Sequence, residues 1–345
     1  MSRTARLGTR GSALARWQSE FVAAQLKTVV PELQIEIVEI SSTGDQITDQ
    51  PLWQVEGTGF FTATIERALS EGEIDIAVHS YKDLPVEGTP GLVVGAVPPR
   101  APVEDVLCAK HGKTLADLPA GARVGTCSAR RTAQTRTLRP DLDLVPLRGN
   151  VPTRVARVTD GDLDAIVLAR AGLVRLGLDR HITEVFPVDR MLPAPAQGAL
   201  AIQCRERDAW IVESLARLDD PATRRTVAAE RAVLHALGGG CSVPVGAVAV
   251  ARDGGALGLT AGVFSMDGLS SSWTNLIGEE PLALGEAAAR QLLSAGARTI
   301  LAAFEKQARL ETSELTGGLP WVFPRNAGAA CGAPPVSARW PLRRG

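Results

Sequence analysis

Asp83 stands directly after Lys82, where a short apolar run from Ile74 to Val78 gives way to His79, Ser80 and Tyr81. The run predicts a buried parallel strand. Ligands of open α/β sheets collect beyond the carboxyl ends of such strands. Asp83 is therefore the candidate catalytic acid, with the Lys82 ammonium beside it. The alternative is a surface carboxylate in the turn that precedes Leu84 and Pro85.

A second concentration of chemistry lies between Thr126 and Arg157. It holds seven arginines, Arg130, Arg131, Arg136, Arg139, Arg148, Arg154 and Arg157, against Asp141 and Asp143, so the segment is locally +5 (7 − 2) in a chain of net charge −1. Arginine suits bidentate recognition of carboxylate or phosphate better than lysine does. Gly125-Thr126-Cys127-Ser128 precedes a helical segment, which sets free backbone N–H groups near Arg130 and Arg131. Arg148 sits in Leu147-Arg148-Gly149-Asn150 at a strand end, with Arg154 just beyond. Arg10, ahead of a helix start at Ser12, makes a third such place. A solvated basic face is the plain alternative. Three strand-end or helix-start arginine sites instead predict a cleft for a ligand bearing several negative groups. Phosphates are disfavoured, since no Walker or Rossmann glycine pattern occurs.

Cys241 follows Gly238-Gly239-Gly240, which leaves its thiol on a loop free of side chains and able to carry an attached group; the alternative is a small residue opening a strand. The other cysteines, Cys108, Cys127, Cys204 and Cys331, form no C-x-x-C pair or Cys/His cluster that suggests a metal or a disulfide frame. His79 is read as a satisfied strand-end residue rather than a base. Aromatic residues make up only 4% of the chain, and the near-zero net charge gives no global field, so nucleic acid and anionic membrane are disfavoured partners. The start, Met1 to Arg6, has no apolar signal region, and no run approaches a membrane span, so the expected compartment is the cytoplasm.

The elements that position these groups follow from pattern. Ser12 caps a helix carrying Leu14, Trp17, Phe21, Val22 and Leu26 on one face. A strand over 34–40, a loop from Thr43 to Gly59, a helix with Phe61, Ile65, Ala68 and Leu69, and the strand before Asp83 complete a βαβαβ lobe. Pro98 to Pro102 and Leu192 to Gly198 are linkers. Between them lies an inserted α/β lobe with strands at 122–125 and 164–168, and 198–203 returns to the first lobe. Two adjacent crossovers between two lobes make a hinge with a cleft. After Pro221 a helix over 223–237, strands over 243–250 and 257–264, and a helix over 284–306 form a small α+β domain. The expected division is 1–98 with 199–217, 103–193, 221–310, and a poorly ordered tail over 311–345.

In combination these stretches resemble the porphobilinogen deaminase (hydroxymethylbilane synthase) family from about Leu7 to Lys306. The motifs are Thr9-Arg10-Gly11-Ser12, Asp75 to Pro85, Val124-Gly125-Thr126, Ser128-x-Arg130-Arg131, Leu147-Arg148-Gly149-Asn150, Ala171-Gly172-Leu173-x-Arg175-Leu176-Gly177, and Gly239-Gly240-Cys241. The resemblance implies an α/β fold of two doubly wound lobes like those of periplasmic binding proteins, joined by a two-crossover hinge, plus a small α+β C-terminal domain. It implies a dipyrromethane cofactor attached to Cys241 as a thioether, with Lys82, Ser128, Arg130 and Arg131 around it. Four porphobilinogen molecules would be joined to that primer with loss of ammonia, and linear hydroxymethylbilane released. Asp83 would be catalytic, and Arg10, Gln18, Arg148, Arg154 and Gln197 would bind substrate. The implied enzyme is monomeric and passes its product to uroporphyrinogen-III synthase.

The chain departs from the family pattern at several places. Gln54 and Thr58 stand where the family often has lysines, Cys127 where serine is common, and Ala196 where the hinge has a glycine. Two rivals follow: a two-lobed solute-binding module, which has no use for the third domain or Cys241, and a paralogue that binds without turnover. Ammonia release separates the latter from the enzyme.

Overall fold

The computed structural model describes residues 3–40, 62–240 and 243–316, with side chains to residue 310. The loop from Thr43 to Gly59 with Gln54 and Thr58, Phe61, Cys241 and the tail beyond 316 lie outside the described residues.

The first lobe is a five-stranded sheet in the order β2-β1-β3-β10-β4. Its strands are β1 (Arg3–Thr9), β2 (Leu33–Glu39), β3 (Ile76–Ser80), β4 (Leu92–Ala96) and β10 (Leu200–Arg205). β1 runs parallel to β2 and β3, while β10 is antiparallel to β3 and β4. Helix α1 (Ala13–Val29) starts where Ser12 Oγ accepts the Ala15 N–H at 3.3 Å. It places Val22 and Leu26 on the face formed by Leu7, Ile76, Val78 and Ile202. On the other face α2 (Ala63–Glu71) packs Ile65 and Leu69 against Ile74 and Ala77. Asp75, the one charge inside the apolar run from Ile74 to Val78, belongs to the scaffold: its Oδ1 accepts from Arg6 Nη2 at 3.0 Å and Arg205 Nη2 at 2.6 Å.

The second lobe repeats this plan. β6 (Arg123–Gly125) runs parallel to β7 (Asp143–Val145) and β8 (Ala165–Ala169), while β5 (Asp105–Ala109) is antiparallel to β8 and to β9 (Glu184–Val185), in the order β7-β6-β8-β5-β9. Helices α3 (Ala129–Leu138), α4 (Val151–Thr159) and α5 (Arg170–Arg175) complete it. In each lobe the fourth strand of the order, β10 or β5, comes straight from a crossover. The two lobes are thus doubly wound α/β units, each entered by one crossover.

The crossovers run side by side, with the Ala101 N–H donating to Gly198 O at 3.2 Å. Gly198 has φ +86°, and a Cβ there would lie 2.5 Å from Ala101 O, so no larger residue fits. After α6 (Ala209–Ala216), α7 (Pro221–Ala236) and α8 (Pro281–Leu292) pack Ala229, Val233, Leu284 and Ala288 onto a three-stranded antiparallel sheet. That sheet is β11 (Val245–Ala251), β12 (Leu257–Phe264) and β13 (Ser271–Gly278). β13 escapes pattern reading because its alternation is inverted. Ser272 and Thr274 are the buried positions, bonded to Leu292 O and Gln291 Oε1, while Trp273 and Ile277 face outward. The final helix, α9 (Arg298–Thr316), runs past residue 310, where the sequence reading ended the third domain.

Candidate functional site

β3 ends at Ser80 and the chain makes one tight helical turn over Tyr81–Asp83. The turn is held at its start by the Tyr81 N–H on Ala199 O, 3.0 Å, and is stopped by buried Leu84 followed by Pro85. Asp83 is exposed and Lys82 half-buried. Gln18, buried on α1, donates from Nε2 to Ser80 Oγ at 2.9 Å and so braces the strand end. Burial pulls the Lys82 ammonium down to about 8, while Asp83 and Asp105 support its charge and Arg131 and Arg130 oppose it. Lys82 Nζ lies 3.5 Å from Gln197 Oε1, on the second crossover.

Across the cleft, Ser128 caps α3 and the helix's first turn carries Arg130 and Arg131 inward, each at most 6% exposed. Both meet Asp105, the first residue of β5. Arg130 Nη1 donates to its Oδ2 at 2.6 Å and Arg131 Nη2 to its Oδ1 at 2.7 Å. Burial by itself would raise the Asp105 carboxyl, but the two guanidiniums hold it well below the usual carboxylate range. Gln197, fully buried, donates from Nε2 to Asp105 Oδ1 at 2.9 Å and to Val103 O at 2.7 Å. The hinge, both arginines and Lys82 thus share one polar network.

Arg148 follows β7, and its Nε and Nη2 are buried without a hydrogen-bond partner among the described residues. Buried donors left unpaired are costly, which points to a ligand oxygen at this place. Asn150 caps α4 by accepting from Thr153 N–H at 2.9 Å, and Arg154 Nε donates to Gly149 O at 2.7 Å. Burial draws the Arg154 guanidinium below its ordinary value, and Asp83 is near enough to counteract that. Arg10, half-buried between β1 and α1, lies near enough to His79 to oppose its protonation.

A cavity of about 30 Å³ lies between the Asp83 turn and the start of α3, with Lys82, Ser128, Arg130, Pro195, Gly240 and Val243 among its lining. In sequence Gly240 and Val243 stand on either side of Cys241 and Ser242, so both ends of that segment lie at the wall of the cationic cradle. Lys82, Ser128 and Arg130 are brought together here, with Arg131 and Gln197 joined to them through Asp105 and Lys82; Arg148, after β7, and Arg154, on α4, are not among the lining.

Other groups marked in the sequence take up places in the scaffold. Arg136, Arg139 and Arg157 serve the scaffold, bonding to Met266 O, to Asp141 and to Asp162. His79 is buried at the end of β3, where burial pulls its imidazole down to about 4 against a side-chain hydrogen bond with Gln203, and its Nε2 has no hydrogen-bond partner among the described residues. Cys127 is tied to the backbone of Leu147, whose N–H it accepts at 3.1 Å. Buried Cys108 and Cys204, with thiols pushed up to about 12, fill the core.

Two residues the reading missed organise the site, Asp105 and Glu230. Glu230, fully buried on α7, accepts from Arg100 Nη1 at 2.7 Å, Arg100 Nη2 at 2.8 Å, Ala196 N–H at 2.7 Å and Ala249 N–H at 2.8 Å. A carboxylate inside the apolar face of a helix was the one available signal.

Residues 5–213 match the family model described as "Porphobilinogen deaminase, dipyromethane cofactor binding domain", and residues 224–294 match "Porphobilinogen deaminase, C-terminal domain". The chain is 46% identical over 297 residues to a porphobilinogen deaminase of Brevibacillus brevis, spanning 86% of this chain and 96% of that protein. It is 47% identical over 320 residues to one of Nocardia farcinica, spanning 89% and 91%. A third, of Desulforudis audaxviator, is 47% identical over 304 residues, spanning 88% and 98%.

Proposed function

The chain belongs to the porphobilinogen deaminase family, and on that premise we propose that Asp83 is its catalytic carboxylate and Cys241 its cofactor attachment point. The enzyme is a hydroxymethylbilane synthase: it joins four porphobilinogen molecules, with loss of ammonia, onto a dipyrromethane primer and releases the linear tetrapyrrole. When bound, the primer supplies the nucleophilic pyrrole carbon to which the first substrate is joined. Its acetate and propionate groups fit the cradle, because Lys82, Ser128 and Arg130 line the same cavity as Gly240 and Val243, the described residues on either side of the Cys241 position.

The remaining steps fall to the chain's own side chains. As ammonia leaves porphobilinogen, positive charge develops on the substrate, and Asp83 stabilises it while accepting pyrrole N–H groups. A preorganised group of this kind is worth about 3 kcal/mol. Arg10, Arg148 and Arg154 hold substrate carboxylates, the Nε and Nη2 of Arg148, without a partner among the described residues, being ready donors. Gln18 keeps the end of β3 in place through Ser80, and Gln197 relays the hinge position to Lys82, Arg131 and Asp105. Arg130 and Arg131 complete the cradle.

One observation carries this reading. The turn bearing Asp83, the arginine helix and both flanks of Cys241 converge on one cavity. The reading includes a monomer acting in the cytoplasm and passing its product to uroporphyrinogen-III synthase. Among the described residues no helix is long and apolar enough to cross a membrane.

The test is the denatured intact mass of the purified chain after incubation with porphobilinogen, with peptide mapping around Cys241 and ammonia release followed in parallel. An adduct of two condensed porphobilinogen units on Cys241, lost in Cys241→Ser, is expected. A bare thiol with no ammonia released would hand the chain to the binding-only reading.

A further inference from the structure

The exposed Asp83 carboxylate makes no hydrogen bond to a described residue, so its aim depends on the backbone of its turn. That backbone is gripped from another domain. Arg231 on α7 donates from Nη1 to Tyr81 O at 3.2 Å and to Leu84 O at 2.9 Å, and from Nη2 to Pro85 O at 2.6 Å. Its guanidinium carbon lies 4.4 Å from the centre of the Tyr81 ring. Three carbonyls and an aromatic face around one short turn suit a planar five-donor fork, which a lysine cannot reproduce. Val86, at the turn's exit, packs into the core that α7 forms with β11 and β12.

The same helix does two other things. Glu230, the preceding residue, binds both crossovers through Arg100 and Ala196. Past its C-terminus, α7 leads through Leu237 into the glycines before Cys241. A helix is a stiff rod, so α7 sets the distance between the Asp83 turn and the glycines that precede Cys241 in the sequence.

We propose that Arg231 is the positioning residue of the catalytic turn, aiming Asp83 at the growing chain held by Cys241. The inference rests on the reading of Asp83 as the catalytic carboxylate. Its physical content is that a carboxylate misplaced by about 1 Å loses on the order of 100-fold in rate, whereas cofactor attachment and substrate affinity, which depend on other residues, change little.

The test compares the holoenzyme with Arg231→Met, Arg231→Lys, Asp83→Ala and Asp83→Ala/Arg231→Met, following porphobilinogen consumption and the intact mass. Arg231→Met is expected to keep the Cys241 adduct and to lose at least about tenfold in kcat, with KM within about threefold. Arg231→Lys should recover part of the loss. Because Arg231 acts through Asp83, the double variant should fall within about twofold of Asp83→Ala in single-turnover assays. A kcat for Arg231→Met within about twofold of wild type, or a loss that multiplies onto Asp83→Ala, overturns the inference while leaving Asp83 in place. Near-normal turnover by Asp83→Ala overturns the reading of Asp83 and this inference with it. Should Arg231→Met not fold, Arg231→Lys carries the same comparison in both backgrounds.

Discussion

At the scale of single residues the site is a problem of charge held out of water. Lys82, Arg130 and Arg131 are cations around one buried carboxylate, Asp105, so the cradle keeps positive charge to spare for ligand carboxylates. Lys82 is the member that titrates in an accessible range, because burial lowers it from 10.5 to about 8. Carboxylate binding should therefore weaken as pH rises through about 8, and Lys82→Arg should carry the alkaline limb of the activity profile to higher pH. An unmoved limb would remove Lys82 from the binding role. The effect on stability has the opposite sign. Between about 8 and 10.5 the native lysine is neutral and the unfolded one charged, so the unfolded state binds more protons and stability rises with pH across that window.

Among the elements, the hinge segment shows how local strain is offset. Ala196 has φ +61° and is fully buried, in a region L-residues avoid at a cost of about 1–2 kcal/mol. Its N–H donates to Glu230 at 2.7 Å, which keeps the conformation. Glycine would relieve the strain but loses about 0.5–1 kcal/mol of chain entropy, and the buried methyl contributes about 0.8 kcal/mol. These terms nearly cancel. Ala196→Gly should change unfolding free energy by less than about 1 kcal/mol in a urea titration; a loss well beyond that would show that the methyl packs more tightly than its size suggests. The departure from the family's glycine is thus tolerated by its surroundings.

For the molecule as a whole, Glu230 is the joint. It takes four hydrogen bonds from two crossovers and one strand of the third sheet. Glu230→Gln leaves Arg100 as a largely buried cation without its counter-charge and turns a donor toward donors, so a loss of about 3–5 kcal/mol is expected. The denaturant midpoint measures it, with the hinge and third domain melting ahead of the lobes. A shift near zero would mean that water reaches Arg100 and replaces the carboxylate.

What the sequence determined by itself was whatever depends on neighbours along the chain. Caps lie three residues from their targets, as Ser12 and Asn150 do, and strand ends and crossovers are marked by local composition, so Asp83, Arg148 and the hinge were legible as places. The tertiary structure alone decided which charges are neutralised and which are left for a ligand. Arg130 is paired with Asp105 from 25 positions away, Arg100 with Glu230 from 130, and Arg231 reaches Pro85 from 146. Coulomb attraction and desolvation depend on distance in space and on exclusion of water, and neither is written in spacing along the chain.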